Sequence, residues 1–145
     1  MLIAVLNGPN LNLLGQREPE VYGRTTLAEI ERMVRDAART HGAEIEWFQT
    51  NHEGALVDAV QGLRGRADGA LVNAASLTHS SLALRDAVLA VRVPFVELHL
   101  SNIFAREPER RHSVIADLAL GLITGFGAQS YLLGLQALVG RLRAG

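Results

Sequence analysis

Leu2-Ile3-Ala4-Val5-Leu6 is a short apolar run. Almost at once it is followed by Gly8-Pro9-Asn10-Leu11-Asn12-Leu13-Leu14-Gly15-Gln16-Arg17-Glu18-Pro19-Glu20-Val21-Tyr22-Gly23. The run reads as a buried strand. The next periodic segment, 27–40, reads as a helix. Thr26 and Glu29 form a capping-box pattern, and Leu27, Ile30, Met33, Val34 and Ala37 make one apolar stripe. Gly42 ends it as a left-handed cap would. A second apolar segment, 43–48, reads as another strand. Strand, helix and strand in this order form a parallel crossover unit. Compact domains usually join strand to helix with a few residues, so the loop at 8–23 is several times longer than the connection needs. Such loops are functional or disordered. Its leucines at 11, 13 and 14 argue against disorder.

The same alternation continues. A helix is expected after Asn51, with Leu56, Ala59, Val60 and Leu63 inward and an end near Gly65. Strands are expected at 69–73, 94–98 and 119–124. Helices are expected at 80–91 and 128–143, with Leu132, Leu135, Leu138 and Leu142 inward on the last. The whole chain, 1–145, reads as a single α/β domain with helices on both faces of a parallel sheet. Five strands of this length suggest a flavodoxin-like, doubly wound order of 2-1-3-4-5.

Composition narrows the chemistry. The net charge is -1, which points to neither nucleic acid nor an acidic membrane surface. There is no cysteine, which removes disulfides, thiolate nucleophiles and cysteine zinc sites together. All 14 residues counted as Lys+Arg are arginine, so Schiff-base and Walker-type lysine mechanisms are excluded. Asn7 and Gly8 interrupt the apolar start, so no signal peptide is expected. No apolar run approaches a membrane span. The expectation is a soluble, cytoplasmic protein.

In open α/β sheets the ligand crevice lies beyond the carboxyl ends of the strands, at the switch in strand order. Here that is between the first and third strands. The first strand leads to Asn10, Arg17 and Tyr22, and the third to Asn73, Ser76, Thr78 and His79. The fourth ends at Glu97-Leu98-His99, before Ser101, Asn102, Arg106, Arg110 and Arg111. The polar turn 49–53 lies on the far side of the first strand. By residue physics alone Tyr22 is equally well a loop phenol, and Arg17 a surface partner of Glu18 or Glu20. His99 is equally well a structural histidine. His41 reads as a helix C-terminal residue, His52 and Glu53 as caps, and Arg111 as solvated surface.

These segments together resemble type II 3-dehydroquinate dehydratase. The strongest part is G-P-N-L-N-L-L-G-x-R-E-P-x-x-Y-G at 8–23. N-H-E-G at 51–54, T-H-S-S at 78–81, L-R-D-A at 84–87 and E-L-H-L-S-N-I at 97–103 extend it. So do A-R-E at 105–107, Arg110, and His112-Ser113. The resemblance implies a flavodoxin-like subunit, assembled as a homododecamer of four trimers. It implies anti elimination of water from a small-molecule substrate, 3-dehydroquinate, with no metal and no cofactor. In that scheme Tyr22 removes the C2 proton and Arg17 sits beside it. Asn10 holds a water that stabilises the enolate. His99 protonates the departing hydroxyl and Glu97 orients it. Asn73 and the backbone of Leu100 and Ser101 hold the carboxylate, and His79 and Arg110 bind ring hydroxyls. Arg106 lies on a closing lid, and Asp86 reaches a neighbouring subunit's site.

The chemistry fits these residue types. Without lysine, an enolate must be stabilised by hydrogen bonds placed in advance. A tyrosine with an ordinary pKa near 10 becomes a useful base when a guanidinium favours its phenolate. A tertiary hydroxyl leaves with a proton, and histidine is the natural donor. The chain departs from the family pattern at Ala74-Ala75, where proline and glycine are usual. Alanine there loses a fixed φ and a freely left-handed position. Phe104, Glu109 and Arg111 also replace common residues. The alternatives at this level are a lyase with a shifted cyclic hydroxy-acid substrate, a non-enzymatic flavodoxin-like module, and a silent assembly subunit. The loop after the first strand lacks the Ser/Thr/Gly-rich cradle of a flavin site. Asn73 stands where a receiver domain would present its phospho-acceptor.

Overall fold

The structure, a computed structural model, describes residues 1–16 and 18–145, and the backbone alone at Tyr22. Five strands alternate with helices: β1 (Leu2–Asn7), β2 (Glu44–Gln49), β3 (Gly69–Asn73), β4 (Phe95–His99) and β5 (Gly121–Thr124). They form one sheet in the order β2-β1-β3-β4-β5, with every pairing parallel. The expected order holds. The central strands β1, β3 and β4 are buried nearly throughout, whereas edge strands β2 and β5 are half-covered.

The helices are α1 (Pro19–Tyr22), α2 (Leu27–Thr40), α3 (Glu53–Gln61), α4 (Leu82–Val91) and α5 (Gln129–Arg143). Alternate strand residues face opposite layers. Ile3, Val5, Leu71, Val96 and Leu98 pack with Ile30 and Val34 of α2 and Leu135 and Leu138 of α5. Ala4, Leu6, Ala70, Val72 and Phe95 pack with Leu56 and Val60 of α3 and Leu84 and Val88 of α4. α2 starts where the sequence predicts: the Glu29 N–H donates to Thr26 Oγ1 at 3.2 Å, and Gly42 follows the helix at φ 67.

Several local expectations are corrected. The loop at 8–23 contains a 3₁₀ turn (Leu11–Leu13) and the short α1, where no regular structure was expected. α3 stops at Gln61, earlier than expected. α4 starts at Leu82 because Ser81 caps it, accepting the Leu84 N–H at 3.0 Å. His52 holds the N-cap position of α3 without a side-chain cap bond, and Glu53 does not cap either. Instead Glu53 Oε2 accepts the Ser81 hydroxyl at 2.5 Å, tying α3 to α4.

The Ala74-Ala75 departure proves local. Ala75 sits at φ 54 and Ala74 at φ -76. The loop keeps the left-handed turn that glycine would favour, at a cost of roughly 1–2 kcal/mol for an L residue. The turn is enforced from outside. Gly8 N–H donates to the Asn73 carbonyl at 2.8 Å. A Cβ on Gly8 would fall 2.6 Å from the Ala74 carbonyl carbon, so only glycine permits this approach. Since φ at Ala74 already suits proline, Ala74→Pro is expected to stabilise the chain by about 0.4–1 kcal/mol through the unfolded state. Urea unfolding reads this directly. A loss instead would mean that the Ala74 N–H carries a needed bond.

Candidate active site

A cleft of about 150 Å³ opens beyond the carboxyl ends of β1, β3 and β4. Asn10, Leu11 and Leu14 form one wall, Asn73, Ser76 and His79 another, and His99, Ser101, Arg106 and Arg110 a third. The switch in strand order therefore gathers the three loops that the sequence predicts.

β4 carries the innermost charge. Glu97 is fully buried, 0 % exposed, and His99 is 5 % exposed at the cleft. His99 Nε2 bonds Glu97 Oε2. Ser113 Oγ donates to Glu97 Oε1 at 2.7 Å, and Thr78 Oγ1 reaches Oε2 at 3.4 Å. A carboxylate only accepts, so Nε2 of His99 is its proton-bearing nitrogen and Nδ1 is left for the cleft. Ser113 and Thr78 were not singled out as glutamate ligands in the sequence, since both look like ordinary loop hydroxyls.

His79 faces His99 across the cleft, with stacked rings 6.4 Å apart. Its Nδ1 bonds the His112 carbonyl at 2.7 Å, and His112 Nε2 bonds the His79 carbonyl at 2.7 Å. This reciprocal clasp closes the polar segment 101–113 onto the β3 loop. The carbonyl requires the proton of His79 on Nδ1, leaving Nε2 as an acceptor. Burial holds the His79 pKa below the usual histidine value. The His112 carbonyl opposes that shift, and the charges of His99, His112 and Arg110 reinforce it.

Asn10 takes a left-handed conformation at φ 68. Its N–H donates to Asn51 Oδ1 at 2.9 Å. Gln49 Nε2 reaches the Gly8 carbonyl and Asn51 Oδ1, each at 3.2 Å. The polar turn after β2 thus stays off the cleft yet holds the wall that forms it.

Asn73 is 2 % exposed and lies opposite Asn7 in the β1–β3 register. Its Nδ2 donates to the Tyr131 hydroxyl at 2.9 Å, and its Oδ1 accepts the Ala75 N–H at 3.2 Å. Tyr131 donates in turn to Asn7 Oδ1 at 2.6 Å. Neither Asn7 nor Tyr131 stood out in the sequence. Tyr131 lies next to the leucine stripe of α5, and Asn7 reads as the end of a strand.

The backbone at Leu100 and Ser101 is anchored from behind. The Gly125 N–H donates to the His99 carbonyl at 3.3 Å and the Gly127 N–H to the Leu100 carbonyl at 2.9 Å. In trans peptides N–H opposes C=O, so the Leu100 and Ser101 N–H groups point away from the 125–127 turn. Arg106 Nη1 donates to Ser101 Oγ at 3.2 Å, and Arg110 Nε pairs with Glu107. Arg111 Nε donates to the Arg106 carbonyl at 2.6 Å.

One expected residue lies away from the cleft. Asp86 is exposed on α4 and does not line this cleft. Arg17 and the Tyr22 side chain lie outside the described residues; the Tyr22 backbone ends α1, on the loop that walls the cleft. Among the described residues no three His, Asp or Glu side chains converge as a metal-ligand set.

Known proteins share the sequence and the fold of this chain. The family described as class II dehydroquinase matches residues 1–139. The catabolic 3-dehydroquinase of Penicillium rubens is 56% identical over 129 residues, covering 89% of this chain and 83% of that one. The 3-dehydroquinate dehydratase of Nostoc sp. is 57% identical over 141 residues, covering 97% and 96%. The crystal structure of type II dehydroquinase from Butyrivibrio crossotus superposes with a TM-score of 0.92 at 37% identity, covering 95% of this chain and 97% of that one. With the sheet order, the cleft and the motifs in agreement, this chain belongs to the type II dehydroquinase family.

Proposed function

We propose that this chain removes water from 3-dehydroquinate by anti elimination, giving 3-dehydroshikimate through an enolate, in the cleft beyond β1, β3 and β4. Family membership supports the hydro-lyase activity. The observation that carries the site is the buried Glu97–His99 pair, which opens on the same cleft as Asn10, Asn73 and His79.

Tyr22 takes the C2 proton as a phenolate favoured by Arg17, and the carbon–hydrogen pair becomes the enolate. Asn10, on the cleft wall, supplies the hydrogen-bonding position for the enolate oxygen through a water. The enolate then collapses, the C1–C2 double bond forms, and the C1–oxygen bond breaks. His99, acting as the imidazolium with Nε2–H held by Glu97, gives its Nδ1 proton to the departing hydroxyl, which leaves as water. Glu97 keeps the ring oriented and balances the imidazolium charge. Asn73 and the Leu100 and Ser101 N–H groups take the carboxylate. His79 and Arg110 take ring hydroxyls, and Arg106 closes the lid. The assay for this reading follows the ultraviolet absorbance of the conjugated product with metal-stripped protein. Wild type is expected to turn over. Tyr22→Phe and His99→Ala are expected to lose about 10²–10⁴-fold in kcat, the range of general acid–base catalysis. Arg17→Ala is expected to fall with Tyr22→Phe. A folded wild type without turnover, or an undiminished Tyr22→Phe, would sink the reading.

The chain works in this reading as a cytoplasmic homododecamer of four trimers. Asp86 shares one face of α4 with exposed Leu82 and Leu89, away from the cleft of its own subunit. This suits a residue that completes a neighbour's site. Asp86→Ala is expected to lose trimers or turnover while the subunit remains folded, as read by sedimentation and far-ultraviolet circular dichroism. A fully active, fully assembled variant would remove Asp86 from that role.

His79 gives a pH test. Its folded pKa lies below the ordinary value, chiefly through burial, so near pH 6 the unfolded chain binds this proton more readily. Its stability contribution is therefore complete above about pH 6.5 and declines as pH falls toward the folded midpoint. An NMR titration should place the His79 midpoint below about 6.5. A higher midpoint would contradict a neutral ring in the clasp.

A further inference from the structure

Four hydrogen bonds run in one direction beneath the cleft. Asn7 Nδ2 donates to the Phe48 carbonyl at 3.1 Å. The Tyr131 hydroxyl donates to Asn7 Oδ1 at 2.6 Å. Asn73 Nδ2 donates to the Tyr131 oxygen at 2.9 Å. The Ala75 N–H donates to Asn73 Oδ1 at 3.2 Å. Both ends of this chain are backbone groups of fixed polarity: a carbonyl accepts and an N–H donates. Turning over either asparagine amide would set donor against donor and acceptor against acceptor. The usual ambiguity of an asparagine amide is therefore resolved by the network.

The middle of the network is dry. Asn7 and Tyr131 are 0 % exposed. Trp47 stacks on the Tyr131 ring, 6.0 Å between centroids. Burial pushes the Tyr131 hydroxyl well above the usual phenol range, so it stays a protonated donor at working pH. A phenylalanine would fill the same apolar volume without this polar triad. What the hydroxyl adds is direction: it leaves Asn73 with one uncommitted polar hydrogen, the second on Nδ2, while Oδ1 is engaged by the loop. Asn73 itself lines the cleft.

We infer that Tyr131 is a positioning residue that holds the Asn73 amide donor-side to the cleft, and so makes that end of the site select an acceptor such as a carboxylate. This rests on the reading that Asn73 meets the substrate carboxylate. The support matters in this chain because the following residues are Ala74-Ala75. With alanine at φ 54, the turn that aims Asn73 is held by Asn73 Oδ1 and by the Gly8 contact rather than by the residue's own preference.

The test compares quinate with its primary amide as competitive ligands. Wild type should favour the carboxylate. Tyr131→Phe leaves the Asn73 amide held only by the longer Ala75 contact, and is expected to cut that preference by about tenfold, the scale of one hydrogen bond to a charged group. KM for 3-dehydroquinate should rise with kcat nearly unchanged. In an Asn73→Ala background, Tyr131→Phe should have no further effect on the preference. Equal weakening of both ligands, or no change in folded Tyr131→Phe, overturns the inference. If Asn73→Ala leaves carboxylate affinity intact, the reading of Asn73 itself fails instead. Side-chain amide NMR of the unsubstituted protein gives an answer without any variant. Quinate should shift one Asn73 Nδ2 hydrogen and leave its partner, bonded to Tyr131, in place. Movement of both equally would overturn the inference as well.

Discussion

Asn7 and Asn73 stand opposite each other at the carboxyl ends of β1 and β3, Asn7 fully buried and Asn73 nearly so at the edge of the cleft. Much of the site follows from keeping that pair satisfied. A buried polar group left unpaired costs about 1–3 kcal/mol, so the donors and acceptors turned inward must have partners, and only the Asn73 hydrogen at the cleft is spared. The Phe48 carbonyl of β2 and the Ala75 N–H each partner one amide, and α5 supplies the link between the two amides through Tyr131. The helix comes close enough because Gly134, one turn further along, leaves room: a Cβ there would lie 2.5 Å from Leu98 Cδ2. One packing contact thus places a phenol that orients two amides.

The opposite face of the sheet solves a harder problem. Taking a carboxylate out of water costs several kcal/mol unless it is paired and fully hydrogen-bonded. Glu97 meets that condition with His99 from its own strand, Thr78 from the β3 loop and Ser113 from beyond the polar segment. The Val114 N–H then donates to the Thr78 carbonyl at 2.8 Å, fastening the two loops together. The charge that orients His99 is also what draws the surrounding loops into place.

Much of this was legible in residue order. Burial on two faces leaves apolar strands, and amphipathic helices between them leave stripes, so element type could be read from periodicity, and the 2-1-3-4-5 order from the strict alternation together with the usual order of five-stranded doubly wound sheets. Boundaries were less legible where side chains compete for helix ends. Ser81 rather than Ser80 caps α4, and Glu53 turns from its own helix to Ser81. Asn10, Asn73, His79, Glu97 and His99 could be nominated because each lies near the carboxyl end of a strand that reaches the crevice, or in the loop after it. Thr78 and Ser113 stand in the motifs without any sign of their role, and Asn7 and Tyr131 look ordinary beside their sequence neighbours.

By itself the sequence determined the parallel α/β architecture, the absence of lysine and cysteine chemistry, and the loops that would carry function. Those properties depend on local periodicity and on residue types, which the chain states directly. The tertiary structure decided the hydrogen-bond direction at Asn73, the tautomer of His79 and the partners of Glu97. It also decided that Ala75 would accept a left-handed turn. These depend on groups far apart in the chain: Asn7 and Tyr131 are separated by 124 positions, and Asn73 and Tyr131 by 58. Only burial brings them together, and only burial makes each of their hydrogen bonds compulsory.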